Sequence, residues 1–355
     1  MSEGIGPRTA TRDIILLGAS AGGVHALSEV VGRLPPNLPA SIFVVLHIAP
    51  HGQSALPAIL SRSGCLPASH PSDGELIQPG RIYVAPPDRH LLIDGDRVLL
   101  SRNATENGHR PAVDVLFRTA ARVYRRRVIA VVLTGNLDDG TAGLAVVKRY
   151  GGVAIVQDPE EADYPSMPAS AIASVQVDHV LPLADIGPLL DELVRQPLPP
   201  ESVSGLQEGD EESNAMREQL EADGSESGSA SGFTCPECGG ALFEKPGKKP
   251  LHFRCRTGHA YSPESLLAKQ SETLESALWA ALRSLEENAA LARRMERRVR
   301  EGGGDRAGER YSKRAEDAEK HAAFLRSILH QGGSDLDPVA DEEPSRAKLM
   351  PVNRA

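Results

Sequence analysis

At 355 residues the chain is too long for one ordinary hydrophobic core and has room for two or three domains, with an apolar content of 40% that is normal for globular proteins. The formal charge of −9 is concentrated in residues 197–231, which hold nine Asp or Glu and one Arg; the remainder is close to neutral and lacks the basic excess of a nucleic-acid binder. No apolar run approaches the roughly 20 residues of a membrane span, and Arg8 and Arg12 precede the first apolar run without a leader-like segment, so no membrane insertion and a cytoplasmic location are expected.

The first apolar run, Ile14-Ile-Leu-Leu17, predicts a buried parallel strand, and Gly18-Ala-Ser20-Ala-Gly22-Gly23 after it predicts a sharp turn into a helix over 24–34. Ile42-Phe-Val-Val-Leu46 predicts a second strand, closed by His47. Arg81-Ile-Tyr-Val-Ala85 is shorter, and His90-Leu-Leu-Ile93 and Arg97-Val-Leu-Leu100 flank Asp94-Gly95, the signal of an antiparallel hairpin, here expected as an insertion in the sheet. A helix over 112–124, a strand at Ile129-Ala-Val-Val-Leu133, a turn holding Asp139, a helix over 144–149 and a strand at Val153-Ala-Ile-Val156 continue the alternation. Residues 12–196 therefore predict an α/β domain with a doubly wound, mainly parallel sheet.

Residues 197–231, rich in acid, Ser, Gly and Pro, predict a disordered linker. Residues 232–262 form a Cys/His unit and 263–331 an α-helical hairpin, with 332–355 a frayed tail. In the hairpin Leu274, Leu278, Leu282, Leu285, Ala289, Ala292, Met295 and Val299 make one apolar stripe, Gly302-Gly-Gly304 ends the helix, and Ala315, Ala318, Ala322, Leu325 and Leu329 face back. Arg293, Arg294, Arg297, Arg298 and Arg300 read as a solvated basic face opposite the acidic linker. The lone Cys65 reads as a packed thiol.

Three polar side chains thus fall at three strand ends. A serine hydroxyl is a poor nucleophile unless a base accepts its proton, an acid orients that base, and donors await the oxyanion; Ser20, His47 and Asp139 are the right types for a catalytic triad. Taken singly, each has a plainer explanation: Ser20 as a helix cap, His47 as a polar strand end, Asp139 as a turn residue before Gly140. His179 is an alternative base in the serine, acid, histidine order of α/β-hydrolases. Dinucleotide binding is disfavoured, because Ser20 stands where a bare glycine must approach a pyrophosphate.

The segments Gly18-Ala-Ser-Ala-Gly-Gly23, Val45-Leu-His47, Tyr83-Val-Ala-Pro-Pro-Asp88-Arg-His90, Arg110-Pro-Ala-Val-Asp-Val-Leu-Phe117, Leu133-Thr-Gly135 to Asp139-Gly140, Gln157-Asp-Pro159 and Ser166-Met-Pro168 resemble the catalytic domain of the chemotaxis protein-glutamate methylesterase (CheB) family over nearly all of 13–194. The resemblance implies Ser20 as nucleophile, His47 as base and Asp139 as orienting acid, with no catalytic cofactor. It implies hydrolysis of glutamyl γ-methyl esters on chemoreceptor helices, and deamidation of glutamines at the same site. Partners implied are methylated chemoreceptors and a separate response regulator or methyltransferase, since the family's usual receiver domain would precede the first strand and only about a dozen residues do. Two departures are Ala21, where the family commonly has Thr, and Asn136-Leu137 in place of Met-Gly. The rival reading is a non-catalytic scaffold acting through its C-terminal region.

Cys235-Pro-Glu-Cys238, then Cys255 and His259, has the knuckle spacing of a closed structural zinc site with four protein ligands and no open position for catalysis. His252 is a less well spaced substitute for His259. With the triad wholly upstream, deleting 198–355 is expected to leave small-ester hydrolysis unchanged. The linker of about 35 residues, reaching on the order of 30 Å, would let the C-terminal region recruit substrate protein.

Overall fold

Short runs of Ile, Val and Leu with no polar alternation form strands buried on both faces. The computed structural model describes residues 11–52, 54–198, 228–244 and 251–331; most of the expected linker and all of the expected tail lie outside them. The chain divides into two units, one up to residue 266 and one from 267. In chain order the first unit contains β1 (Ile14–Ala19), α1 (Gly23–Gly32), β2 (Ser41–Leu46), α2 (Leu56–Ser63), β3 (Ala68–Ser69), β4 (Glu75–Leu76), β5 (Ile82–Val84), β6 (His90–Asp94) and β7 (Arg97–Ser101). Next come α3 (Val113–Tyr124), β8 (Val128–Val132), α4 (Thr141–Arg149), β9 (Val153–Gln157), α5 (Ser166–Ser174), β10 (His179–Leu181) and α6 (Leu183–Arg195). The unit ends with β11 (Ser229–Thr234), β12 (Ala241–Glu244), β13 (Phe253–Cys255), β14 (Ala260–Tyr261) and the first turn of α7 (Pro263–Glu301).

The main sheet is parallel throughout, in the order β10-β9-β8-β1-β2-β5-β3. Successive residues point to opposite faces. Ile15, Leu17, Ile42, Val44, Ile129 and Val131 pack with residues of α1, α2 and α6, while Ile14, Leu16, Phe43, Val45, Val128 and Ala130 pack with those of α3, α4 and α5. The sheet is therefore doubly wound.

Two expectations are corrected. The hairpin β6–β7 does not enter the main sheet but joins β4 in a separate three-stranded antiparallel sheet, while β5, read beside it, is a parallel strand of the main sheet. Cys65 is exposed, not packed. In addition, β11 begins at Ser229, inside the segment read as linker, and pairs with β12 in the four-stranded sheet β11-β12-β13-β14 that carries the Cys/His residues.

The second unit holds the rest of α7, a Gly302–Gly304 turn with Gly303 at φ 82°, and α8 (Asp305–Gln331). Leu282, Ala289 and Ala292 of α7 and Ala315, Ala318 and Ala322 of α8 are buried, while Leu274 at the start of the expected stripe is 56% exposed. Arg293 pairs with Glu319 at 2.9 Å and Arg300 with Glu296 at 2.8 Å, so part of the basic face is met by acids of the hairpin itself.

Candidate active site

Strand β1 is central, and the chain leaves it for β2 on one side and later for β8 on the other. The crevice beyond the carboxyl ends of strands at such a switch point is where open α/β sheets bind ligands. Ser20 follows β1 and His47 follows β2; because Ala19 pairs with Leu46 in parallel register, Ser20 and His47 are the next neighbours across the two strands. Asp139 lies in the turn between β8 and α4. His179 sits three strand positions from β1 on the edge strand β10, which removes it as an alternative base.

His47 Nε2 lies 2.7 Å from Asp139 Oδ2. The same carboxylate accepts from the N–H groups of Val113 (2.7 Å), Asp114 (3.2 Å) and Gly140 (3.0 Å) and from Asn107 Nδ2 (3.1 Å). Val113 and Asp114 open α3, so Asp139 caps that helix from another element. Asp114 returns the arrangement, its Oδ1 accepting from Gly140 (3.1 Å) and Gly143 (2.6 Å) at the start of α4. Burial alone would raise the Asp139 carboxyl, but the hydrogen bond from His47, the charges of His47 and His109 and the Val113 N–H together hold it well below the usual carboxylate range. Burial and then the charge of Asp139 push Asp114 well above that range. Of the two buried carboxyls, Asp139 is the one that ionises more readily.

With Nε2 committed to Asp139, Nδ1 of His47 is the nitrogen left to take a proton, and it is buried without a hydrogen-bond partner. His109 stacks on His47 with ring centroids 3.7 Å apart and planes 10° from parallel. Ser20 is partly exposed; its hydroxyl is not bonded to His47, nor does it cap α1, whose N-cap is Gly22 at φ 74°. Gly135 packs against the nucleophile: a Cβ there would come 2.7 Å from Ser20 Cβ and 2.2 Å from Met167 Sδ. Among the described residues the N–H groups of Ala21 and Asn136 make no main-chain hydrogen bond, which leaves them open to an oxyanion beside Ser20.

Leu137 has φ 61°, a left-handed conformation that costs a residue bearing a Cβ about 1 kcal/mol or more. Its neighbours are pinned, Gly135 by main-chain bonds with Tyr164 and Met167 and Asp138 by the hydroxyls of Ser262 and Ser265. Leu137→Gly is accordingly expected to raise stability by up to about 1 kcal/mol. Urea unfolding of the two proteins checks this, and a lower midpoint for the glycine variant would contradict it.

Cys235, Cys238, Cys255 and His259 converge, with their ligand atoms all within 4.8 Å of one another. Cys238 Sγ to Cys255 Sγ is 3.6 Å, and His259 Nδ1 lies 3.6 and 3.5 Å from the sulfurs of Cys235 and Cys255. Tetrahedral Zn–S bonds of about 2.3 Å imply ligand separations of about 3.7 Å, so these residues fit a zinc ion. His259 Nε2 faces Glu237 Oε2 at 3.3 Å, the carboxylate support common behind a metal-bound imidazole. The Thr257 hydroxyl and the Gly240 N–H hold the Cys238 thiol down, to about 6, which favours the thiolate.

His252 is outside this group. It lies near Glu106, Arg118, Arg254 and Asp139; burial first, with the charges of both arginines, lowers it from 6.5 to about 4 against the pull of the two acids. Glu106, a buried residue, is bonded by Arg118 at 2.8 Å and Arg254 at 3.1 Å; burial opposes its charge, but the arginines lower it from 4.5 to about 2. Both groups bind fewer protons folded than unfolded, so stability falls as pH drops, from 6.5 toward 4 for His252 and from 4.5 toward 2 for Glu106. Melting temperature against pH should show both limbs, with the upper one reduced in His252→Gln; a flat curve between pH 7 and 5 would contradict this.

Asn107, His109, Asp138 and the capping role of Asp114 at α4 were not singled out from sequence. The only signal available was the polar cluster Glu106-Asn-Gly-His109 just ahead of the helix bearing Asp114.

The CheB methylesterase family model matches residues 15–190. A relative from Leptospira interrogans, provisionally named protein-glutamate methylesterase/protein-glutamine glutaminase, is 39% identical over 182 residues, covering 51% of this chain and 94% of its own length. The protein of that name from Thermotoga maritima is 38% identical over 185 residues, 51% of this chain and 54% of the relative. The crystal structure of the Thermotoga maritima CheB methylesterase catalytic domain is matched over its whole length and 52% of this chain, with 38% identity and a TM-score of 0.50.

Proposed function

The chain belongs to the CheB methylesterase family, and we propose that it hydrolyses glutamyl γ-methyl esters on chemoreceptor helices to glutamate and methanol, and deamidates receptor glutamines, through Ser20, His47 and Asp139. The observation that carries the catalytic assignment is the buried His47–Asp139 bond of 2.7 Å beside a serine in adjacent strand register. In this reading Nδ1 of His47 takes the Ser20 proton as Oγ attacks the ester carbonyl, and the N–H groups of Ala21 and Asn136 receive the oxyanion. The imidazolium returns the proton to the departing methoxide, giving methanol and an acyl-Ser20. Water, deprotonated by the same nitrogen, then releases glutamate and restores the serine. Asp139 stays ionised throughout and orients the ring.

The chemistry draws on no cofactor. Four protein ligands leave a zinc at Cys235, Cys238, Cys255 and His259 no open position, so its role is structural. Among the described residues no helix is long and apolar enough to cross a membrane. Methanol release from methyl-esterified receptor, and ammonia release from its glutamine form, test the proposal; neither product above the rate of Ser20→Ala would refute it.

A further inference from the structure

The loop between β7 and α3 carries two groups that touch the proposed triad, Asn107 bonded to Asp139 and His109 stacked on His47. That loop is held from the other side by the Cys/His unit. The N–H of Asn107 donates to Ala260 O at 2.7 Å and the N–H of Ala260 to Thr105 O at 3.3 Å, so the loop pairs alongside β14. The Asn107 amide is used completely: Oδ1 accepts from the Ser262 N–H at 3.0 Å, and Nδ2 donates to Asp114 Oδ2 and Asp139 Oδ1, both at 3.1 Å. The residue is 4% exposed, and the reverse amide orientation would set an oxygen against two carboxyls. A second connection runs to the metal ligands, because Glu237 accepts from Thr105 Oγ1 at 2.6 Å and faces His259. A third is Glu106, buried between Arg118 of α3 and Arg254 of β13.

We propose that Asn107 is a positioning residue through which the metal-holding Cys/His unit orients Asp139, and hence His47, so that this unit is a working part of the esterase and not a tethered accessory. The inference rests on the triad reading above. A metal at His259 would fix Glu237 and β14, these would fix Thr105 to Asn107, and Asn107 fixes the charged oxygen opposite the one that holds His47. The unit lies against the triad's support, and among its described residues none bonds Ser20 or His47. The sequence-based expectation that removing residues 198–355 leaves small-ester hydrolysis unchanged is replaced by an expected loss.

The test uses the full chain and a small methyl ester. Asn107→Ala is expected to lower kcat by about 10- to 100-fold with KM little changed, to shift the acid limb of the pH–rate profile, and to move or broaden the proton resonance of the His47–Asp139 bond. Arg254→Gln, partly exposed and remote from the reacting atoms, should lower kcat severalfold, and stripping the metal with a chelator should reproduce the change in the His47 resonance. Wild-type kcat and pH profile in Asn107→Ala would overturn the proposal. So would an unchanged rate and resonance in both Arg254→Gln and the chelated protein. Ser20→Ala, run in parallel, separates the two readings: if it is active the triad assignment fails, and if it is inactive while the other variants behave as wild type, only the coupling fails.

Discussion

Replacing Ser20 by Ala is expected to lower methyl-ester hydrolysis by roughly 10⁴- to 10⁶-fold while leaving the fold intact, and His47→Ala should cost nearly as much. Ser20 is partly exposed at the end of β1, and its hydroxyl caps nothing, so its loss removes chemistry without removing a structural bond. The double variant should be no slower than the slower single one, because nucleophile and base act in the same step. Asp139→Asn is different in kind. It removes the charge that orients the His47 ring and turns into an NH2 group one of two oxygens, of which Oδ2 accepts from Val113 and Oδ1 from Asp114, Asn107 and Gly140 around the starts of two helices, so it should lower the melting temperature as well as the rate. Rates on a small methyl ester, with thermal melts, check all four variants; a double Ser20/His47 variant much slower than either single one would contradict a shared role.

The second large effect is loss of the metal. The Cys/His unit has a small core of Cys235, Leu242, Phe253, Cys255, Tyr261 and Leu266, two of whose members are proposed ligands, and so little apolar surface does not order four short strands unaided. Structural zinc supplies an apparent ~10–16 kcal/mol in comparable small sites. About one zinc per chain is expected by elemental analysis, and chelation should unfold residues 228–244 and 251–262, read as rapid amide exchange there and at Asn107, whose N–H donates to Ala260, while β1, β2 and β8 stay protected. Cys238→Ser or His259→Ala should do the same. A metal-free protein in which these strands remain protected would contradict the assignment.

The sheet edge that bears Ser20, His47 and Asp139 was legible because His47 directly follows the apolar run Ile42–Leu46, and Ser20 and Asp139 lie in the turns after the runs Ile14–Leu17 and Ile129–Leu133. The knuckles around Cys235 and Cys255 were legible for the same reason, their ligands being close in sequence. The hairpin β6–β7 was recognised but assigned to the wrong sheet, since its partner β4 is two residues long and has no readable pattern. Asn107 bonding to Ser262 spans 155 residues, and Glu106 bonding to Arg254 spans 148. No periodicity relates such positions, and an isolated Asn after a hairpin reads as an ordinary turn residue. Leu137 shows the converse: the departure from the family's glycine was visible, but not that the backbone here has a glycine-like φ of 61°.

The central claim, that Ser20 is a nucleophile activated by His47, is tested most directly by exposing the intact chain to a fluorophosphonate, which phosphonylates an activated serine hydroxyl with loss of fluoride. Mass spectrometry of the digested protein is predicted to find one adduct per chain on the peptide containing Ser20, absent from Ser20→Ala and strongly reduced in His47→Ala. An esterase-active protein that stays unlabelled at Ser20, or that carries the adduct on another serine, would contradict the account.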